Sequence, residues 1–140
     1  MHRKMFRSAA VLMAIAVTLG AFGAHLLKKL LTPSLLEGYQ TATYYQMIHA
    51  IAIFIAGFLY KQYHHKKMWL AGQFFLYGIL CFSGSIYVRV ILSFAGYSNL
   101  GMFNLVTPLG GILFILGWLW LLFSIPNKTN DKHAVNEVEN

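Results

Sequence analysis

The sequence predicts an all-α, integral membrane four-helix bundle with both termini cytoplasmic. Three observations carry this reading. The chain has 140 residues, of which 58% are hydrophobic and only 11% charged, with a mean hydropathy of +0.58. A soluble domain carries about 25% charged residues, so this chain lacks the polar groups to cover a water-facing surface. Four stretches approach the ~20 apolar residues that cross ~30 Å of hydrocarbon. Lysine and arginine gather in short clusters beside those stretches, as membrane-flanking anchors do. The clustering also argues against nucleic acid as a partner, despite a formal net charge of +7. A nucleic-acid surface spreads its basic groups along a water-facing element among base-reading or stacking side chains.

The first stretch, 8–27, reads SAAVLMAIAVTLGAFGAHLL. With MHRKMFR before it and Ala21-Phe22-Gly23 inside it, it has features of a cleavable signal peptide. Its apolar run is long for one, and the reading is that it stays as a helix. The second stretch, 44–60, is short but bracketed by tyrosines. Pro33 and Gly38 are expected to interrupt the chain before it, leaving KKLLTPSLLEGYQT as a loop. The third covers 68–94 and the fourth 105–125, with Pro108 near the first turn of the last helix and Pro126 ending it. Trp69, Trp118, Trp120, Tyr60 and Tyr63 suit the membrane–water interfaces. Residues 1–125 thus form one transmembrane domain, and the polar tail 126–140 is expected to be disordered.

Four crossings place Arg3, Lys4, Arg7, Lys61, Lys66, Lys67, Lys128 and Lys132 on one side. The other side receives only Lys28 and Lys29 between helices. The positive-inside rule then puts both termini of this multi-pass chain in the cytoplasm, or its topological equivalent. His25 then falls in the last turn of helix one, His49 near the start of helix two and Arg89 toward the outer end of helix three. These three are expected to share one depth. Ser85 lies one turn before Arg89 and faces the same way; Ser83, Gln46 and Thr107 add polarity. Glu37 is the only acid before the tail, hence the one carboxylate available to Arg89. Ionisable side chains in spans are costly and face the bundle or water. Two readings stay open for this cluster: a pocket opening outward, or an Arg89 that snorkels to headgroup phosphates above a purely structural polar knot.

Small residues at helical spacing let membrane helices approach closely. Ala16, Gly20, Gly23 and Ala24 form such a set on helix one, Gly84 on helix three, and Gly110 and Gly111 on helix four. Catalytic chemistry finds little support. Ser83 or Ser85 with His49 imitates a serine–histidine dyad, but FSGS is no nucleophile-elbow motif. No carboxylate lies within a span, so no carboxylate proton relay is available. His25 and His49, on neighbouring helices, could ligate a haem or meet a quinone. The lone Cys81 forms no disulfide or metal-ligand spacing, and no cofactor or metal is assigned.

Four ordered segments, GAFGAHLLKK (20–29), YQMIHAIAIF (45–54), FSGSIYVRVI (82–91) and TPLGGILFILGW (107–118), resemble the YgdD/YwdK-like family of small multi-pass membrane proteins. That family is itself similar to the vertebrate transmembrane-256 proteins. The resemblance covers about 5–125 and implies a four-helix protein of the bacterial inner membrane, or of mitochondria in animals. It implies no activity, ligand or catalytic residue. The matching positions include Gly20, Gly23, Ala24, His25, His49, Ser83, Gly84, Ser85, Tyr87, Thr107, Pro108, Gly110 and Gly111. The sequence departs from the family pattern at Arg89. The expected role is that of a non-enzymatic accessory or scaffold protein, in contact with membrane lipids and packing against itself or a larger complex. An oligomeric solute or ion pathway through the polar cluster, and haem or quinone binding through His25 and His49, are the alternatives.

Overall fold

The computed structural model describes residues 2–97 and 103–125. Four helices run up and down in sequence: α1, His2–Leu30; α2, Pro33–Tyr63; α3, Lys66–Phe94; and α4, Phe103–Leu122. Each is long and apolar enough to cross a membrane. Antiparallel neighbours joined by short connections are the expected solution for such a bundle. The described ends of the chain, at His2 and Ile125, therefore lie at the same end of the molecule. The expected disorder of 126–140 lies outside the described residues.

Helix α2 is longer than the sequence reading allowed. It begins at Pro33 instead of 44, because a proline at the first helical position suits φ near −65° and loses only an amide that had no partner anyway. Gly38 does not interrupt it. Leu31 and Thr32 alone separate α1 from α2, and His64 and His65 alone separate α2 from α3. His64 makes that second reversal by adopting φ 56°, the left-handed conformation that ends many helices. Helix α4 runs from Phe103 to Leu122, so Pro108 sits inside it and beyond its first turn. Helix α1 carries a π-turn over Gly23–Leu27.

The antiparallel helices α2 and α3 form the centre, with α1 and α4 laid against them. Met5 and Ala9 of α1, Ala52, Ile53 and Ala56 of α2, Ala71, Phe75 and Ile79 of α3, and Phe114 and Leu121 of α4 make one continuous apolar core. Glycines set how closely the helices approach. A Cβ at Gly110 would strike the Phe82 backbone, and one at Gly117 would lie 2.5 Å from Phe75 Cε1. One at Gly23 would lie 2.8 Å from Tyr39 Cε1, and one at Gly20 would meet Thr43 Cγ2 at 3.4 Å. The buried stripe of α1 runs Ala9, Ala16, Gly23, a seven-residue step that keeps one face inward. Ala24, one residue on, is rotated outward and exposed. Gly111 faces open space, and Gly84 has only the carbonyl of Ile79 within 4 Å, at 3.9 Å. Of the small residues singled out by the sequence, Ala16, Gly20, Gly23 and Gly110 stand at helix contacts. Ala24, Gly84 and Gly111 do not.

Candidate functional site

The register of the helices fixes the depth of every polar side chain. Tyr39 donates its hydroxyl to the carbonyl of Leu19 at 2.8 Å, and Gln46 donates through Nε2 to that of Leu12 at 2.8 Å. These bonds set α1 against α2. Ser83 Oγ donates to the carbonyl of Ala42 at 2.8 Å and sets α2 against α3. Ser85 Oγ and Thr107 Oγ1 share a bond of 2.7 Å that sets α3 against α4. By this register His25 and Arg89 lie at one level, close to the start of α2. His49 does not share it. It sits near the midpoint of α2, roughly 18 Å deeper at 1.5 Å per residue. The expectation of three ionisable groups at one depth is corrected on this point, because α2 starts eleven residues before the expected 44.

Two polar groupings result. The deeper one draws on all four helices, with Thr43, Gln46 and His49 buried. The His49 Nδ1–H donates to the carbonyl of Tyr45 at 2.8 Å, and Nε2 accepts from Trp118 Nε1 at 3.3 Å. A carbonyl only accepts and an indole only donates, so the partners dictate a neutral ring with the proton on Nδ1. The ring stacks on Phe114 with centroids 3.5 Å apart and planes 9° from parallel. Beside this stack, Tyr87 donates its hydroxyl to Gln46 Oε1 at 2.9 Å. Thr43 donates to the carbonyl of Tyr39 at 3.0 Å. Among the described residues, no buried side-chain nitrogen or oxygen lacks a hydrogen-bond partner. In lipid that satisfaction is required, since an unpaired polar group has no water to turn to.

The second grouping lies at the end of the bundle where α2 begins. A cavity of about 350 Å³ is lined there by Ser34, Leu35, Gly38, Ser85, Ile86, Arg89, Val90, Thr107 and Pro108. Arg89, Ser85 and Thr107 thus come together, as the outward-pocket reading requires, while Arg89 itself stays exposed. Glu37 does not line this cavity. It is exposed and one residue from the lining Gly38, a step of 100° around the helix that turns it away. No ion pair joins it to Arg89 among the described residues. His25 is exposed on the π-turn of α1. Gln46, His49 and Ser83 belong to the deeper grouping.

This geometry removes two chemical readings. A haem held by His25 and His49 requires both imidazoles within a few ångströms of one iron; they stand at different levels, and both nitrogens of His49 are engaged. A serine–histidine dyad fails likewise, since Ser83 bonds Ala42 and Ser85 bonds Phe82 and Thr107, roughly 10 Å or more above His49 along the axis. Among the described residues no group of three His, Cys, Asp or Glu side chains could hold a metal ion.

Several residues of these groupings carried no signal in the sequence reading. Pro33 reads as a stop in the sequence, which leaves Ser34, Tyr39 and Thr43 outside the expected 44–60 helix. Trp118 was assigned to the membrane interface, and only its pairing with His49 reveals its inward edge. The available signal is the proline itself, with no other before Pro108; a proline at the head of a long apolar run is how a helix start reads.

Comparison with known proteins places the chain. The family described as Protein of unknown function (DUF423) matches residues 19–111, a span that includes His49, Ser85, Arg89 and Thr107 and ends before Phe114 and Trp118. UPF0382 membrane protein YwdK of Bacillus subtilis is 38% identical over 109 residues, 77% of this chain and 84% of its own length. UPF0382 inner membrane protein YgdD of Escherichia coli is 34% identical over 122 residues, 86% of this chain and 87% of its own. A UPF0382 membrane protein of Staphylococcus epidermidis is 36% identical over 110 residues, 79% and 84% respectively. No solved structure matches. With this coverage, and with four helices able to span a membrane, the chain belongs to the DUF423 (UPF0382) family of membrane proteins.

Proposed function

We propose that this protein is a non-enzymatic accessory or scaffold protein of the inner membrane, with both termini cytoplasmic. The observation that carries this reading is the commitment of the polar side chains within the bundle to bonds between helices. Tyr39, Gln46, Ser83, Tyr87 and Trp118 each bridge two helices. Hydroxyls and imidazoles so engaged serve as the pins of a fixed bundle, in the way polar side chains join helices in lipid. The orientation rests on the lysines and arginines beside the helices, which favour the side bearing His2. The packing partner, another copy or a larger membrane complex, would meet the protein through α1. Only 11% of the most apolar window of α1 is buried inside the chain, against 50% for α2.

Single cysteines at Ala14 and Val17, both exposed on α1, test this by oxidative or bifunctional cross-linking in native membranes. A discrete adduct of constant mass, absent when the cysteine stands at the buried Ala16, is the expected result. A protein that stays monomeric, and that carries saturable solute or ion flux in liposomes lost on Ser85→Leu, would replace this reading with a transport pathway.

A further inference from the structure

Arg89 stands where two cavities meet. The one of about 350 Å³ lies against α3 and α4, and a second of about 360 Å³ is lined by Thr32, Ser34, Leu35, Arg89, Ser93, Gly96 and Tyr97. Ser34, Leu35 and Arg89 line both. The cavity sizes fall within the range of small-ligand sites, about 300–1,000 Å³. No aspartate or glutamate is among the lining residues, and Arg89 has no ion-pair partner among the described residues. A full positive charge thus faces a roomy, partly walled space with no carboxylate among its described lining residues.

The first turn of α2 adds donors of the same sign. Pro33 has no amide hydrogen, and the Leu36 amide bonds the carbonyl of Thr32 at 3.0 Å. The amides of Ser34 and Leu35 remain without an intrahelical partner, and the N-cap Thr32 provides no side-chain cap. Both residues line the two cavities. The hydroxyls of Ser34, Ser85 and Thr107 supply further polar lining, against apolar walls of Leu35, Ile86 and Val90. A guanidinium presents a planar fork that matches phosphate geometry. Helix N-termini favour anions through free amides and the helix dipole.

We propose that this niche binds a phosphate oxyanion. Its depth makes a phospholipid headgroup a reachable source. Arg89 is about ten residues from the middle of the bundle along α3, or ~15 Å, half of the ~30 Å hydrocarbon thickness. That is where acyl chains give way to phosphates. Free phosphate carries the same chemistry, and the experiment separates the two. The site goes beyond the scaffold reading and stands or falls independently of it.

The test uses the full chain in a non-ionic detergent, with thermal unfolding followed against added dioleoyl phosphatidylglycerol, dioleoylglycerol or inorganic phosphate. Saturable stabilisation by phosphatidylglycerol, with none from dioleoylglycerol, is expected. Arg89→Gln should raise the half-saturating concentration about tenfold, the loss of one charge-assisted pair. Lys29→Gln, which removes the same charge from the same end of the bundle, should raise it less than about twofold. Arg89→Lys keeps the charge without the fork and should fall between. It also serves as the readout if Arg89→Gln does not fold. Stabilisation by inorganic phosphate at comparable concentrations would assign the site to the free anion, and dependence on phosphatidylglycerol alone would assign it to the headgroup. Equal losses in the Arg89 and Lys29 variants, equal stabilisation by dioleoylglycerol, or no saturable effect of any phosphate compound would overturn the proposal.

Discussion

Trp118 and His49, sixty-nine residues apart in the chain, meet at the middle of the bundle, where the indole nitrogen donates to the imidazole Nε2 at 3.3 Å. The bond ties α4 to α2, helices that are not neighbours in sequence. The other nitrogen of the same ring is fixed by the carbonyl of Tyr45 one turn earlier, and Phe114 covers its face. One side chain therefore joins hydrogen bonding, aromatic stacking and helix registration.

Trp118→Phe keeps most of the stacking surface and removes the donor. It should lower stability by about 0.5–1.5 kcal/mol. His49→Phe should cost at least as much, because it leaves the Trp118 N–H without its partner. The double variant should recover part of the loss. A thermodynamic cycle on unfolding in detergent measures this coupling; additive effects would mean that the bond contributes nothing.

Two adjacent glycines of α4 should respond with opposite signs. Gly110→Ala places a methyl against the Phe82 backbone and should destabilise by about 1–3 kcal/mol, the usual cost of overpacking. Gly111→Ala places it in open space and should be neutral or stabilising by up to ~1 kcal/mol from helix propensity. Unfolding midpoints of the two variants, taken side by side, check the α3–α4 contact directly.

Tyr87→Phe removes the hydroxyl that reaches Gln46, and Ser83→Ala the one that reaches Ala42. Interhelical hydrogen bonds in membrane proteins average ~0.6 kcal/mol. Each variant should therefore lose about that much, measured by the same unfolding assay. Losses of several kcal/mol in either case would point to packing defects instead of the bonds.

The purified protein should be colourless, and His25→Ala should leave both its absorption and its stability unchanged. His25 is exposed on the π-turn of α1, far from His49. A Soret band in the visible spectrum that disappears in His25→Ala or His49→Ala would contradict the engaged state of His49.

The four crossings were legible in the sequence because hydropathy and flanking charge are properties of whole segments. The starting point of α2 was not. Pro33 reads equally as the end of one helix or the start of the next, and choosing the former removed Ser34, Tyr39 and Thr43 from the helical register. The same choice raised His49 from the middle of α2 to the level of Arg89. The meeting of Ser85, Arg89 and Thr107 was readable because Ser85 and Arg89 are one turn apart on α3 and Thr107 opens α4. The Trp118–His49 bond was not, since it depends on the rotation of α4 against α2, which no local spacing encodes. Ala24 shows the same limit on a smaller scale. Spacing by four includes it with Ala16 and Gly20, whereas the buried stripe steps by seven to Gly23.

The most direct test of the account is labelling of single cysteines by a membrane-impermeant thiol reagent, in a Cys81→Ala background and intact cells. Glu37→Cys, beside the Arg89 niche, should label from outside. His64→Cys, at the opposite end of α2, should label only after permeabilisation, and Gln46→Cys, in the buried mid-depth grouping, in neither condition. Labelling of 37 and 64 from the same side, or of 46 as readily as 37, would contradict a four-helix bundle that holds its polar pins in the membrane and opens its arginine niche outward.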